Sequence, residues 1–168
     1  MSALTVTPAN PSFPAPKPTT IQELEPAERL LIWAVRCWTS AGWRQQAVWR
    51  DFVLRFGSDA LAVTTAFERL IRALDRGARR SLVWGQPDAP PLQADELCLL
   101  LLISALQREE SALAAAVLGW LVTPVAKQTA MGAAVALARE LDAAEMICPL
   151  RVATARIAGA TPALVSLH

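Results

Sequence analysis

Residues 30–52 read LLIWAVRCWTSAGWRQQAVWRDF and hold four of the six tryptophans in a chain that has no tyrosine. Two readings compete for this stretch: an aromatic and cationic surface that stacks on a ligand, or part of the core of a helical bundle. Helical geometry decides between them. A first helix from Pro26, whose fixed φ suits the first helical position, to about Trp38 puts Leu30, Ala34, Cys37 and Trp38 on one face, with Glu28, Arg29 and Arg36 directed elsewhere. Trp33 and Trp38 then differ by about 140° around the axis, so they flank the apolar stripe and form no single flat platform. After the turn TSAG (39–42), a second helix over roughly 43–56 carries Trp49, Phe52, Val53 and Phe56 on one stripe, with Arg50, Asp51 and Arg55 outside it. A single-stranded nucleic-acid platform needs exposed aromatics beside a basic groove. Here the aromatics fall inside apolar stripes and the arginines outside them. The stretch reads as core, and the fold class that follows is an all-α, single-domain bundle.

The pattern extends outward in both directions. Gly57 and Ser58 are a helix stop and an N-cap, and the third helix, about 59–76, has the stripe Val63, Phe67, Leu70, Ile71 and Leu74. Its opposite face carries Glu68, Arg69, Arg72, Asp75 and Arg76, and Gly77 ends it. RRSLVW (79–84) and GQPDAPP (85–91) form an extended connector that divides the chain, since one isolated strand makes no sheet. A fourth helix begins near Ala94, with Asp95 and Glu96 in the first turn, where the helix dipole favours acids. QREES (107–111) reads as a turn before a fifth helix over 111–122, one long helix over 94–122 being the alternative. Thr123 and Pro124 form an N-cap and N1 pair for a sixth helix, 124 to about 145. The helical domain of five or six helices thus spans 21–148, between a Pro-rich disordered tail (1–20) and an extended or disordered C-terminal arm (149–168).

A chain of 168 residues has the size of one domain, and 54% hydrophobic residues provide for a sizeable core. The apolar run LCLLLLISAL (97–106) is about half of the ~20 residues that span a bilayer and ends in the charged QREE, so no membrane span is expected. The N-terminus lacks a basic segment followed by an apolar one, which points to the cytoplasm. Lysine occurs only at Lys17 and Lys127 among sixteen basic residues, and with abundant alanine this arginine bias points to a GC-rich bacterial genome. The three cysteines, Cys37, Cys98 and Cys148, are too far apart for a disulfide framework and are expected to be reduced and largely buried. The formal charge of +1 is uneven: residues 21–80 carry ten arginines against seven acids, and residues 81–168 carry five basic residues against eight acids. Such a split can orient a partner or a second copy of the chain.

Several chemistries lack their residues. The one histidine is His168, the last residue, so imidazole general bases, Ser-His and Cys-His nucleophiles and His-rich metal sites are not expected. No close cysteine pair suits zinc, and no glycine-rich loop cradles a phosphate. The acid pairs Asp95/Glu96 and Glu109/Glu110, and the group Glu140/Asp142/Glu145, do not converge on one atom, because neighbouring helical residues point about 100° apart. No catalytic, cofactor-binding or metal-ligating residue is therefore assigned, and no cofactor is expected. The leading candidate surface is Arg69, Arg72 and Arg76, which share a helical face at i, i+3, i+7, continued by Arg79 and Arg80. Arginine's planar fork suits phosphate or carboxylate, whereas Glu68 and Asp75 offer the alternative of an internally balanced solvated face. An apolar pocket near Trp33 and Trp43 is a second candidate. The expected function is a non-enzymatic protein–protein interaction module, an adaptor or regulator with a protein partner or in self-association. Anion or nucleic-acid binding through the arginine face, or small apolar-ligand binding near Trp33 and Trp43, are the alternatives.

Overall fold

The computed structural model describes residues 20–40 and 44–151. Most of the expected N-terminal tail (1–20), most of the C-terminal arm (149–168) and Trp43 lie outside the described residues. Six α-helices occur among those described: α1 (Pro26–Thr39), α2 (Arg44–Phe56), α3 (Ala60–Gly77), α4 (Ala94–Gln107), α5 (Ser111–Leu121) and α6 (Lys127–Ala143). No strand accompanies them there, and isolated bridges join Thr20 to Pro91 and Ala78 to Val122. The chain is all-α with a single core, and RRSLVW lies in an extended connector as its sequence predicts. No helix among the described residues is long and apolar enough to cross a membrane.

Helix α1 begins as expected at Pro26, behind a capping box in which the Glu25 N–H donates to Glu28 Oε2 at 2.9 Å. The expectation that Glu28 and Arg36 face outward is wrong: both are 0% exposed. The connector meets Arg36, and Arg151 meets Glu28, its Nε donating to Glu28 Oε1 at 2.6 Å, so these two positions face protein rather than water.

Helix α2 corrects a second expectation. Trp49, assigned to its core stripe, is 42% exposed, and Val53 is 40% exposed. The buried row is Val48, Phe52 and Phe56 at i, i+4, i+8. Lying at the periphery against α1 and α3, α2 buries only this narrow line, and residues one position along turn away by about 100°. Edge-to-face contacts of Phe52 with Phe67, and of Trp38 with Phe67, each with ring centroids 5.7 Å apart, tie α1, α2 and α3 together.

The stripe of α3 is buried as predicted, and Gly57, at φ +53°, supplies the left-handed stop after α2. Helices α4 and α5 are separate: Glu109 adopts φ 60°, and the Glu110 N–H returns to the Ala105 carbonyl at 2.8 Å. Helix α6 starts three residues later than expected, because Pro124–Ala126 form a turn in which the Ala126 N–H donates to the Thr123 carbonyl at 3.1 Å. Its buried alanines, Ala130, Ala133 and Ala134, let it lie close along α3, and α4 and α5 complete the second group of helices.

The connector is held by Arg36 from inside. Its Nε and Nη2 donate to Glu96 Oε1 and Oε2 at 2.6 and 2.8 Å. Nη1 donates to the carbonyls of Gln86 and Ala89 at 2.9 and 2.6 Å, and Nη2 also donates to that of Pro91 at 2.7 Å. All five donors of the guanidinium are thus used. Glu96 in turn accepts the Gly85 and Gln93 N–H groups, both at 2.8 Å. A Cβ at position 85 would stand 2.4 Å from Arg36 Nη2, so glycine is what lets the guanidinium lie against the connector backbone.

Candidate functional site

The last turns of α3 and the chain entering α6 enclose a cleft of about 550 Å³. Arg69, Arg72 and Arg76 stand together at it, because i, i+3, i+7 spacing places them on the face of α3 opposite its buried stripe. Gly77 forms part of the floor: a Cβ there would be 2.3 Å from the Ala126 Cβ, so the 123–126 turn abuts α3 only because position 77 has no side chain. The turn is pinned by the Thr123 N–H donating to the Gly77 carbonyl at 2.8 Å. Thr123 and Thr129 also line it, and Val125, 93% exposed, stands at the edge.

The cleft is electrostatically one-sided. Three arginines and no acid line it. Arg72 is shared, since it pairs with Glu68 one turn earlier; Arg69 and Arg76 have no ion-pair partner among the described residues. The lining contains no histidine, cysteine, aspartate or glutamate that would exchange a proton near neutral pH. The charge that it presents is positive.

Arg79 and Arg80, predicted to extend this row, are used elsewhere. Arg79 Nε donates to the Val122 carbonyl at 2.9 Å, and the Arg79 N–H donates to that of Leu121 at 3.1 Å, so this residue fastens the end of α3 to the end of α5. Arg80 grips Asp95 through two hydrogen bonds of 2.6 and 2.8 Å, and the Val83 N–H donates to the same carboxylate at 2.7 Å. Burial pushes the Asp95 carboxyl up, but the hydrogen bonds from Arg80 and Val83, with the Arg80 charge, outweigh it and hold the group below its ordinary value. A carboxyl lowered in this way stabilises the fold above its unfolded pKa and loses that contribution as pH falls through its folded value. The stability difference between wild type and Arg80→Ala is therefore expected to be full at neutral pH and to shrink below about pH 4. Urea unfolding across a pH series measures it; a difference unchanged at the acid end would show that Arg80 does not act through the Asp95 charge.

Trp33 lines a separate cleft of about 390 Å³ with Ile21, Pro26, Leu30 and Pro87. Its rim is charged, with Arg29 and the Asp51–Arg55 pair at 2.6 Å. Trp43, the other residue expected there, lies outside the described residues. Trp38 points to a different surface, beside Ile71, Leu82 and Trp84, so Trp33 and Trp38 form no joint platform.

Among the described residues no group of three or more His, Cys, Asp or Glu side chains is placed to hold a metal. Cys37 and Cys148 are buried and Cys98 is half-buried. Burial first, with the charges of Glu28 and Asp142, pushes the Cys148 thiol up to about 12, which keeps it protonated and unreactive.

Sequence reasoning found the three arginines but missed their opposite wall. Thr123 and Pro124 signalled only a helix start, and nothing in the periodicity of α3 says that residues 123–129 lie against it. Comparison with protein-family models, curated proteins and solved structures gives no match to this chain.

Proposed function

We propose that this chain is a non-enzymatic protein–protein interaction module, a cytoplasmic adaptor or regulator, that docks an acidic segment of a partner into the cleft between α3 and α6. The observation that carries the reading is the lining of that cleft by Arg69, Arg72 and Arg76 without one acidic residue. The lack of any proton-exchanging side chain there favours binding over catalysis. Val125 at the edge adds apolar surface of the kind that interface centres use.

Capture from the native host lysate tests the proposal, with wild type and Arg69→Ala/Arg76→Ala compared in nuclease-treated and untreated arms. Both positions are exposed, so the double variant should fold. A stoichiometric protein that survives nuclease, and is lost or at least tenfold weakened in the double variant, is the expected result; tenfold corresponds to about 1.4 kcal/mol. A partner held equally by the variant would overturn the proposal, and capture of nucleic acid alone would select the nucleic-acid reading. The apolar-ligand reading rests on the Trp33 cleft, whose size falls within the ~300–1,000 Å³ range of small-molecule sites.

A further inference from the structure

We infer that the group recognised in the α3–α6 cleft is a phosphate monoester, carried on a serine or threonine side chain of the partner. This rests on reading the cleft as the docking site and names what enters it.

Charge supplies the first reason. With Arg72 shared with Glu68, Arg69 and Arg76 leave two positive charges without an ion-pair partner among the described residues. A carboxylate brings one negative charge, whereas a phosphate monoester brings about 1.5 to 2 at neutral pH and three acceptor oxygens. Two guanidinium forks suit that set of acceptors.

The opposite wall supplies the second. Helix α6 enters the cleft at its positive end: its N-cap is Ala126, which has no side-chain acceptor, and its first turn holds no acid. Thr123 and Thr129 line this side, and each carries a hydroxyl able to donate. At the α3 end, where carbonyls would repel an anion, the Gly77 carbonyl is directed to the Thr123 N–H, and Arg76 in the last turn offsets the remaining negative end. Arginines, helix start and hydroxyls therefore favour the same kind of ligand from two different elements.

The size of the cleft supplies the third. At about 550 Å³ it has room for the ester's stem and flanking backbone as well as its phosphate. The exposed Val125 side chain gives the stem an apolar neighbour.

The test is a set of titrations of the whole chain followed by amide 1H–15N spectra, using N-acetyl-phosphothreonine amide, N-acetyl-threonine amide, inorganic phosphate and acetate as probes. The phosphothreonine derivative should produce saturable shifts at Gly77, Ala126 and Thr129. Inorganic phosphate should bind more weakly, and the other two probes should leave those amides unmoved. The shifts should vanish in Arg69→Ala/Arg76→Ala while the remaining amides keep their positions. Affinity should rise by up to about fourfold between about pH 5.5 and pH 7.5, as the second phosphate proton leaves near pKa 6.

Equal responses to acetate and phosphothreonine, shifts that survive the double variant, or a flat pH profile would each overturn the inference. Inorganic phosphate binding as tightly as the ester would overturn the assignment to a partner's side chain. Treating the lysate with phosphatase before capture separates the two claims. A partner lost with the arginines but indifferent to phosphatase leaves the docking site standing and removes the phosphate. A phosphothreonine response with partner capture indifferent to the arginines does the reverse.

Discussion

Replacing Glu96 by alanine should lower the thermal midpoint by on the order of 10 °C, a larger loss than substitution of any surface arginine should bring. Removing one member of a buried ion pair costs about 3–5 kcal/mol, because the other charge stays buried without compensation. In a domain of this size each kcal/mol moves the midpoint by about 2–4 °C. Arg36 and Glu96 are both 0% exposed, so water cannot replace the lost carboxylate without opening the core. The Gly85 and Gln93 N–H groups would lose their acceptor at the same time.

A second variant separates the charge from the hydrogen-bond network. Exchange of a buried ion pair for apolar residues is often neutral, but Arg36→Leu/Glu96→Leu should remain clearly destabilised. The carbonyls of Gln86, Ala89 and Pro91 depend on the same guanidinium, and a hydrogen bond to a charged group contributes about 1.5–3 kcal/mol. Differential scanning calorimetry of both variants decides the matter. A double variant as stable as wild type would mean that the connector does not need Arg36.

Gly77→Ala should cost about 1–3 kcal/mol, the range for forcing an extra methyl into a packed site. The new Cβ would lie 2.3 Å from that of Ala126. Neither atom can rotate away, since both sit directly on backbone, so the 123–126 turn must shift. The Thr123 to Gly77 hydrogen bond would be strained with it, and the cleft between α3 and α6 would change shape. Adding Ala126→Gly removes the opposing methyl and should recover most of the loss. The same substitution at Gly132, in α6 with nothing within 4 Å of an added Cβ, is the control. There alanine should stabilise by roughly 0.5–1 kcal/mol, because glycine is the poorer helix former. Denaturant unfolding of the three variants gives the comparison, and a Gly77→Ala protein no weaker than wild type would show that the close approach is not needed.

Arg36 and Trp49 mark the limit of what helical periodicity encodes. Arg36 lies off the apolar stripe of α1, and an arginine off the stripe is normally in water. Its burial depends on a carboxylate 60 residues away and on connector carbonyls 50 to 55 residues away, a separation that no helical period registers. Trp49 departs in the opposite direction. Its place in the stripe is sound as geometry, but a peripheral helix covers only part of an apolar face, and how much depends on its neighbours.

What the sequence by itself determined is local: the all-α class, the stop at Gly57, the stripe of α3 and the shared face of Arg69, Arg72 and Arg76. Each follows from backbone φ, capping chemistry or the 3.6-residue repeat, which act within a few positions along the chain. Only the tertiary structure decided which cations remain available. It took Arg36 into the core, Arg79 to Val122 and Arg80 to Asp95, and left Arg69 and Arg76 facing the start of α6. Periodicity specifies which side chains share a face; what covers that face depends on segments distant in sequence, brought together by burial of the common core.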